Sequence, residues 1–90
     1  MKTLHYSTQY KKDFKKYRNQ PGKLQKLLEV LIMIENEEEL PKALKVHRLS
    51  GQYKDCFECH IEGDFLLIWI DEDSDIIEIL RIGSHSELFK

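Results

Sequence analysis

Residues 56–70 read CFECHIEGDFLLIWI, and the first five, Cys56-Phe57-Glu58-Cys59-His60, spell C-x-x-C-H. That string suits haem attachment, and its first four residues suit a redox or zinc pair. The competing reading is a strand. Residues 53–61, 64–70 and 76–82 alternate or run apolar over strand-like lengths, and "EGD" and "DEDSD" stand between them as turns. Along a strand, side chains alternate, so Cys56, Glu58 and His60 face one way and Phe57 and Cys59 the other. Sulfurs on opposite faces cannot share a haem, a metal ion or a disulfide. Reactive pairs draw their low thiol pKa from a helix N-terminus or nearby cations, and neither is indicated. No second cysteine pair completes a zinc site. The cysteines are read as small buried hydrophobes and the segment as the first hairpin of a sheet. Its second arm is apolar on both faces, Phe65/Leu67/Trp69 and Leu66/Ile68/Ile70, which predicts a central strand covered on both sides.

Upstream, "TLHY" at residues 3–6 reads as a short strand. Tyr10, Phe14 and Tyr17 recur at helical spacing over residues 7–18, with lysines between them. Asn19-Gln20-Pro21-Gly22 breaks that helix. Leu24, Leu27, Leu28, Leu31 and Ile34 then mark a second helix, which fades into "ENEEE". Two helices joined by four breaker residues predict an antiparallel hairpin. Residues 40–51 read as irregular, and "GSHSELFK" closes the chain. The order βααβββ predicts an α+β fold, an antiparallel sheet packed against an N-terminal helical hairpin, as one domain over residues 1–90.

The chain is 41% hydrophobic and 33% charged, the balance of a globular protein rather than a disordered one. No apolar run approaches the roughly 18–20 residues of a membrane span. The N-terminus lacks an apolar h-region, so the expected compartment is the cytoplasm, with reduced cysteines. Net charge is −2 at pH 7, but it is unevenly spread. Residues 1–26 hold eight Lys/Arg and one acid; residues 55–79 hold nine acids and no Lys/Arg. Lys11, Lys12, Lys15 and Lys16 therefore offer either a phosphate-facing surface or an ordinary solvated helix face.

Polar residues suited to chemistry collect in the second half: His47, His60, Asp64, Arg81 and His85. In a meander, the end of one strand, the start of the next and the segment after the last can meet at one edge. Three histidines with an arginine, lacking metal-ligand spacing, suit acid–base chemistry.

At these residues the chain resembles the YafQ branch of the RelE superfamily. "KVHRLSGQYKDCFECHIEGDFLLIWI" and "RIGSHSELF" carry the likeness, through His47…Gly51, Glu58-Cys59-His60-Ile61, Asp64-Phe65 and Arg81-Ile82-Gly83-Ser84-His85-Ser86-Glu87-Leu88-Phe89. The "SxxYKKDFKK"-like opening fits too. Arg48 stands where the family pattern has proline, Phe57 where it has arginine, and Phe65 where tryptophan is frequent. The resemblance implies a RelE-like toxin of a type II toxin–antitoxin system that cuts messenger RNA on the ribosome. It needs no cofactor and no metal, because the ribose 2′-hydroxyl is the nucleophile. It implies His85 as general acid, His47 as favoured general base, His60 and Asp64 as positioning or sharing that role, and Arg81 as stabiliser of the phosphorane. Phe65 and Phe89 are implied as base-stacking groups, with a core anchor as the other reading of Phe89. Expected partners are a cognate antitoxin, the ribosome and messenger RNA, with operator DNA reached only through the antitoxin, and no membrane. Two alternatives stay open: a catalytically weak or inactive protein acting only through its antitoxin complex, and a nuclease independent of the ribosome.

Overall fold

Alternation and helical spacing sort this chain into two layers, and the computed structural model, which describes residues 1–71 and 75–89, shows how they meet. Strand β1 (Thr3–Tyr6) leads to α1 (Thr8–Lys16) and α2 (Pro21–Glu35). Then follow β2 (His47–Arg48), β3 (Phe57–Glu62), β4 (Phe65–Asp71), β5 (Ile76–Gly83) and α3 (His85–Leu88), with 3₁₀ turns at Lys42–Leu44 and Gly51–Tyr53.

Helix α1 starts where Ser7 caps it, the hydroxyl accepting from the Tyr10 N–H at 2.9 Å. Pro21, read as part of a breaker, is instead the first turn of α2, where its fixed φ and missing N–H do no harm. The buried stripe of α1 is Tyr10–Asp13–Tyr17, while Phe14 is 38% exposed. The expected stripe through Phe14 is therefore one position out, and a carboxylate occupies the core side of the helix. In α2 the buried residues are Leu27, Val30, Leu31 and Ile34; Leu28, placed on the stripe, is exposed.

The five strands lie in the order β1-β5-β4-β3-β2. The β3–β4 and β4–β5 pairs are antiparallel as expected, β2 pairs antiparallel with β3, and β1 adds to β5 in parallel, Thr3 opposite Ile76 and Tyr6 opposite Ile79. The connection from β1 to β5 runs through both helices and the β2–β3–β4 meander, long enough for the crossover that a parallel neighbour requires. Strand β2 falls inside the segment read as irregular, and β3 begins later than expected, after a 3₁₀ turn at Tyr53 and a left-handed Asp55. Of the turn read at residues 71–75, positions 72–74 lie outside the described residues.

Strand β4 is buried on both faces. Phe65, Leu67 and Trp69 join Cys59, Ile61, Ile77, Ile79 and Ile82 under the two helices. Leu66 and Ile68 join Cys56 and Leu88 on the other face. The two cysteines thus lie in separate clusters, which removes any shared site. Burial pushes the Cys59 thiol up to about 12, leaving it inert at neutral pH. No described helix is long and apolar enough to cross a membrane.

Candidate active site

The face of the sheet away from α1 and α2 is only partly covered, and the polar residues gather there. Parity on β3 puts Glu58 and His60 on that face, and the β2–β3 register sets His47 directly opposite Glu58. The His47 Nε2 lies 3.2 Å from Glu58 Oε1, and the His60 Nε2 lies 3.8 Å from the same oxygen. Glu58 is 3% exposed, and its Oε2 has no hydrogen-bond partner among the described residues. Both imidazoles are oriented from behind by main-chain carbonyls. The His47 Nδ1–H donates to the Lys45 carbonyl at 2.8 Å, and the His60 Nδ1–H to the Gly63 carbonyl at 3.3 Å. Those bonds make Nδ1 a donor in each ring and turn each Nε2 toward one carboxylate.

The turn that holds His60 also holds His85. Asp64, next to Gly63, accepts the His85 main-chain N–H at 2.8 Å. Helix α3 is one turn long, yet it carries a full capping box in which Ser84 and Glu87 satisfy each other's N–H groups. Burial of Leu88 anchors it to the sheet. The His85 side chain stays exposed, its ring 4.7 Å from that of Phe89, which in turn meets the edge of Tyr53 at 5.4 Å. Gly83 has φ 153°, and a Cβ there would come within 2.9 Å of the Glu87 carboxylate, so the entry to α3 demands glycine. The Ser84 N–H, and after it the Tyr17 hydroxyl at 2.5 Å, hold the Glu87 carboxyl below its usual range.

Arg81 is tied down on two sides. Its Nε and Nη2 donate to Asp13 at 2.8 and 3.1 Å, and its Nη1 donates to the Tyr53 hydroxyl at 3.2 Å. Tyr53 passes its own proton to the Leu88 carbonyl at 3.1 Å. Its hydrogen bonds to Asp13 raise the pKa of Arg81 further above its already high value.

His47, His60, Asp64, Arg81 and His85 are therefore linked through Glu58, the Gly63–Asp64 turn and Tyr53. Phe65 is not among them. It is 1% exposed, its ring 4.7 Å from Tyr17 and under the Lys23 ammonium, so it cannot stack on a base; the expectation is corrected to a core role. Phe89 is half-buried at the rim, and Leu88 beside it is the anchor. Lys11, Lys12, Lys15 and Lys16 are all exposed on α1. Arg48 and Phe57, the two departures from the family pattern, are cross-strand partners, the guanidinium carbon 5.0 Å from the ring centre. A cation is thus delivered by β2 over the position where β3 lacks one.

Sequence reasoning passed over Glu58, Asp13 and Tyr53. Parity had placed Glu58 beside His60, a signal that pointed to the shared carboxylate; the other two reveal themselves only in tertiary structure. Among the described residues no group of three or more His, Cys, Asp and Glu could hold a metal ion.

The chain matches the family model for the bacterial toxin YafQ of type II toxin–antitoxin systems over residues 2–90. It is 33% identical to the mRNA interferase toxin YafQ of Escherichia coli (strain K12) over 87 residues, 96% of this chain and 94% of that protein. Its fold superposes on a copper-bound mutant toxin from Helicobacter pylori with a TM-score of 0.89 at 36% identity, covering 99% of this chain and 100% of that one. It superposes on a chain of the E. coli DinJ–YafQ toxin–antitoxin complex with a TM-score of 0.86 at 31% identity, covering 99% and 98%. A match across nearly every residue, together with a superposable fold, places the chain in the YafQ family of bacterial toxins from type II toxin–antitoxin systems.

Proposed function

We propose that this toxin is an endoribonuclease that cuts messenger RNA on the ribosome without a metal ion, using histidines for both proton transfers. The observation that carries the reading is the pair of imidazoles, each with Nδ1–H fixed to a carbonyl and Nε2 facing Glu58. The ribose 2′-oxygen attacks the adjacent phosphorus as His47 Nε2 takes its proton. The charge of the imidazolium so formed is offset by the Glu58 carboxylate beside it. His60, on the same oxygen, shares or orients that role. The bond from phosphorus to the 5′-oxygen breaks, and His85 gives that oxygen its proton. The products are a 2′,3′-cyclic phosphate and a 5′-hydroxyl end. Arg81 meets the charge on the phosphorane, and Asp64 holds His85 in place through its main chain. Positioned acids and bases of this kind contribute about 10²–10⁴-fold, and fixed cations at the developing charge add to that.

Exposed lysines on α1 meet ribosomal RNA in this reading, which places the protein in the cytoplasm. An antitoxin holds it inactive until needed, as the relatives' DinJ complexes suggest by analogy, and operator DNA is reached through that partner. Phe89, beside His85, is the aromatic group available to a base.

The test is inducible expression without antitoxin, followed by mapping of new 5′ ends on a translated message, with and without His85→Ala. Cuts that require both translation and His85 support the reading. A folded, antitoxin-free protein that leaves messages whole overturns it in favour of a binding-only role. Cuts in untranslated RNA would instead make it a free-standing ribonuclease.

A further inference from the structure

Among the described residues Asp13 is the one fully buried carboxylate under the helices, and the ribonuclease mechanism leaves it unused. It is 1% exposed, whereas the side chain it grips, Arg81, is 19% exposed. Both oxygens are committed: Oδ2 accepts from Arg81 Nε and from the Ile82 main-chain N–H at 3.2 Å. Oδ1 accepts from Arg81 Nη2 and from Gln9 Nε2 at 3.3 Å. A fork of two parallel bonds fixes the plane of a guanidinium as well as its position. The third bond, from Nη1 to Tyr53, fixes it from the opposite side of the sheet. Of the five N–H groups that an arginine carries, two on the terminal nitrogens are left without a partner among the described residues.

We propose that Asp13 is a positioning residue of the cleavage site, aiming the unpaired N–H groups of Arg81 at the reacting phosphate from an element that supplies none of the histidines. Its negative charge subtracts from the field that Arg81 offers a phosphate, so what it contributes is direction. Long arginine side chains in water sample many rotamers, and ordering one in advance removes that cost from the transition state. Four residues on, at the C-cap of α1, the Tyr17 hydroxyl donates to Glu87 of α3. One helix thus holds both the cation and the segment that bears His85, at a fixed separation.

The inference rests on the ribonuclease reading, and a double-mutant cycle on the full chain tests it. Cleavage of a translated message is measured for wild type, Asp13→Asn, Arg81→Gln and the double variant. Asp13→Asn should lower kcat on the order of 10²-fold with KM unchanged, the signature of an interaction realised in the transition state. In the Arg81→Gln background the same change should cost nothing more. Full activity of Asp13→Asn overturns the inference, and so does an equal loss in both backgrounds, which would mark general structural damage. Should Asp13→Asn fail to fold, the wild-type Arg81 Nε–H resonance decides. Slow exchange with water supports a clamped guanidinium, and exchange as fast as free arginine overturns it. Wild-type protein that cuts no message overturns the ribonuclease reading and this one together; wild-type cleavage matched by Asp13→Asn overturns this one alone.

Discussion

His47 and Glu58 face each other across the β2–β3 ladder, the imidazole Nε2 3.2 Å from a carboxylate whose second oxygen has no partner among the described residues. The carboxylate lies within reach of the charge that His47 acquires on taking a proton. Glu58→Gln should therefore cut cleavage about 10²–10³-fold while leaving the fold intact, because a neutral amide cannot stabilise the imidazolium. Buried without a full set of hydrogen bonds, Glu58 also weighs against stability, so the Gln variant should melt no lower than wild type. Calorimetry and message cleavage on one preparation check both halves; a large fall in melting temperature with activity retained would refute them.

Asp64 acts through the main chain of His85, at 2.8 Å. Replacing it with Ala removes one charge-assisted bond at the start of α3, costing about 1 kcal/mol in stability. Cleavage should fall further than that because His85 loses its register. Urea unfolding and cleavage rates together separate the two effects, and an unchanged rate would remove Asp64 from the site.

Glu87 should give the protein an acid-sensitive joint. Its carboxyl is held below its ordinary 4.5 by the Ser84 N–H and then by Tyr17. A group depressed in the folded state stabilises it above the unfolded value and loses that contribution as pH falls through the folded value. Glu87→Gln should be less stable than wild type near neutrality, with the gap closing below about pH 4.5. Urea midpoints across that range are the measurement; a gap independent of pH would show that ionisation of Glu87 is irrelevant.

Phe65 should behave as core. Phe65→Ala is expected to cost about 3–5 kcal/mol. Phe65→Leu, which keeps most of the apolar volume, should fold and retain message cleavage. Loss of cleavage in a well-folded Leu variant would return Phe65 to the substrate.

Charge reversal at Lys11, Lys12, Lys15 and Lys16 should weaken ribosome binding and flatten its dependence on salt. Sedimentation with ribosomes at low and high salt is decisive, since equal binding at both would deny these lysines a phosphate contact.

The strand parity that separated Cys56 from Cys59 was legible because a period of two leaves its mark on neighbouring residues. The same local logic found both helices and the central β4. It could not find the partner of β1, since pairing Leu4 with Ile77 leaves no trace in either segment alone. Asp13 was missed for a related reason. The aromatic Phe14 drew the apolar stripe of α1 one residue astray, and a buried carboxylate makes sense only beside an arginine 68 positions away. Glu58 was half visible: parity gave its direction, and only the two-residue strand bearing His47 gives it a role.

The parallel seam between the first strand and the last has a consequence for how such a toxin is born. During synthesis β1 and α1 leave the ribosome well before β5 and α3. Until then β1 has no edge to join, Asp13 has no guanidinium to hold and Tyr17 has no carboxylate to bind. The clamp on Arg81 and the hold on α3 therefore join residues 68 and 70 positions apart, and neither joint can close until both ends of that span are made.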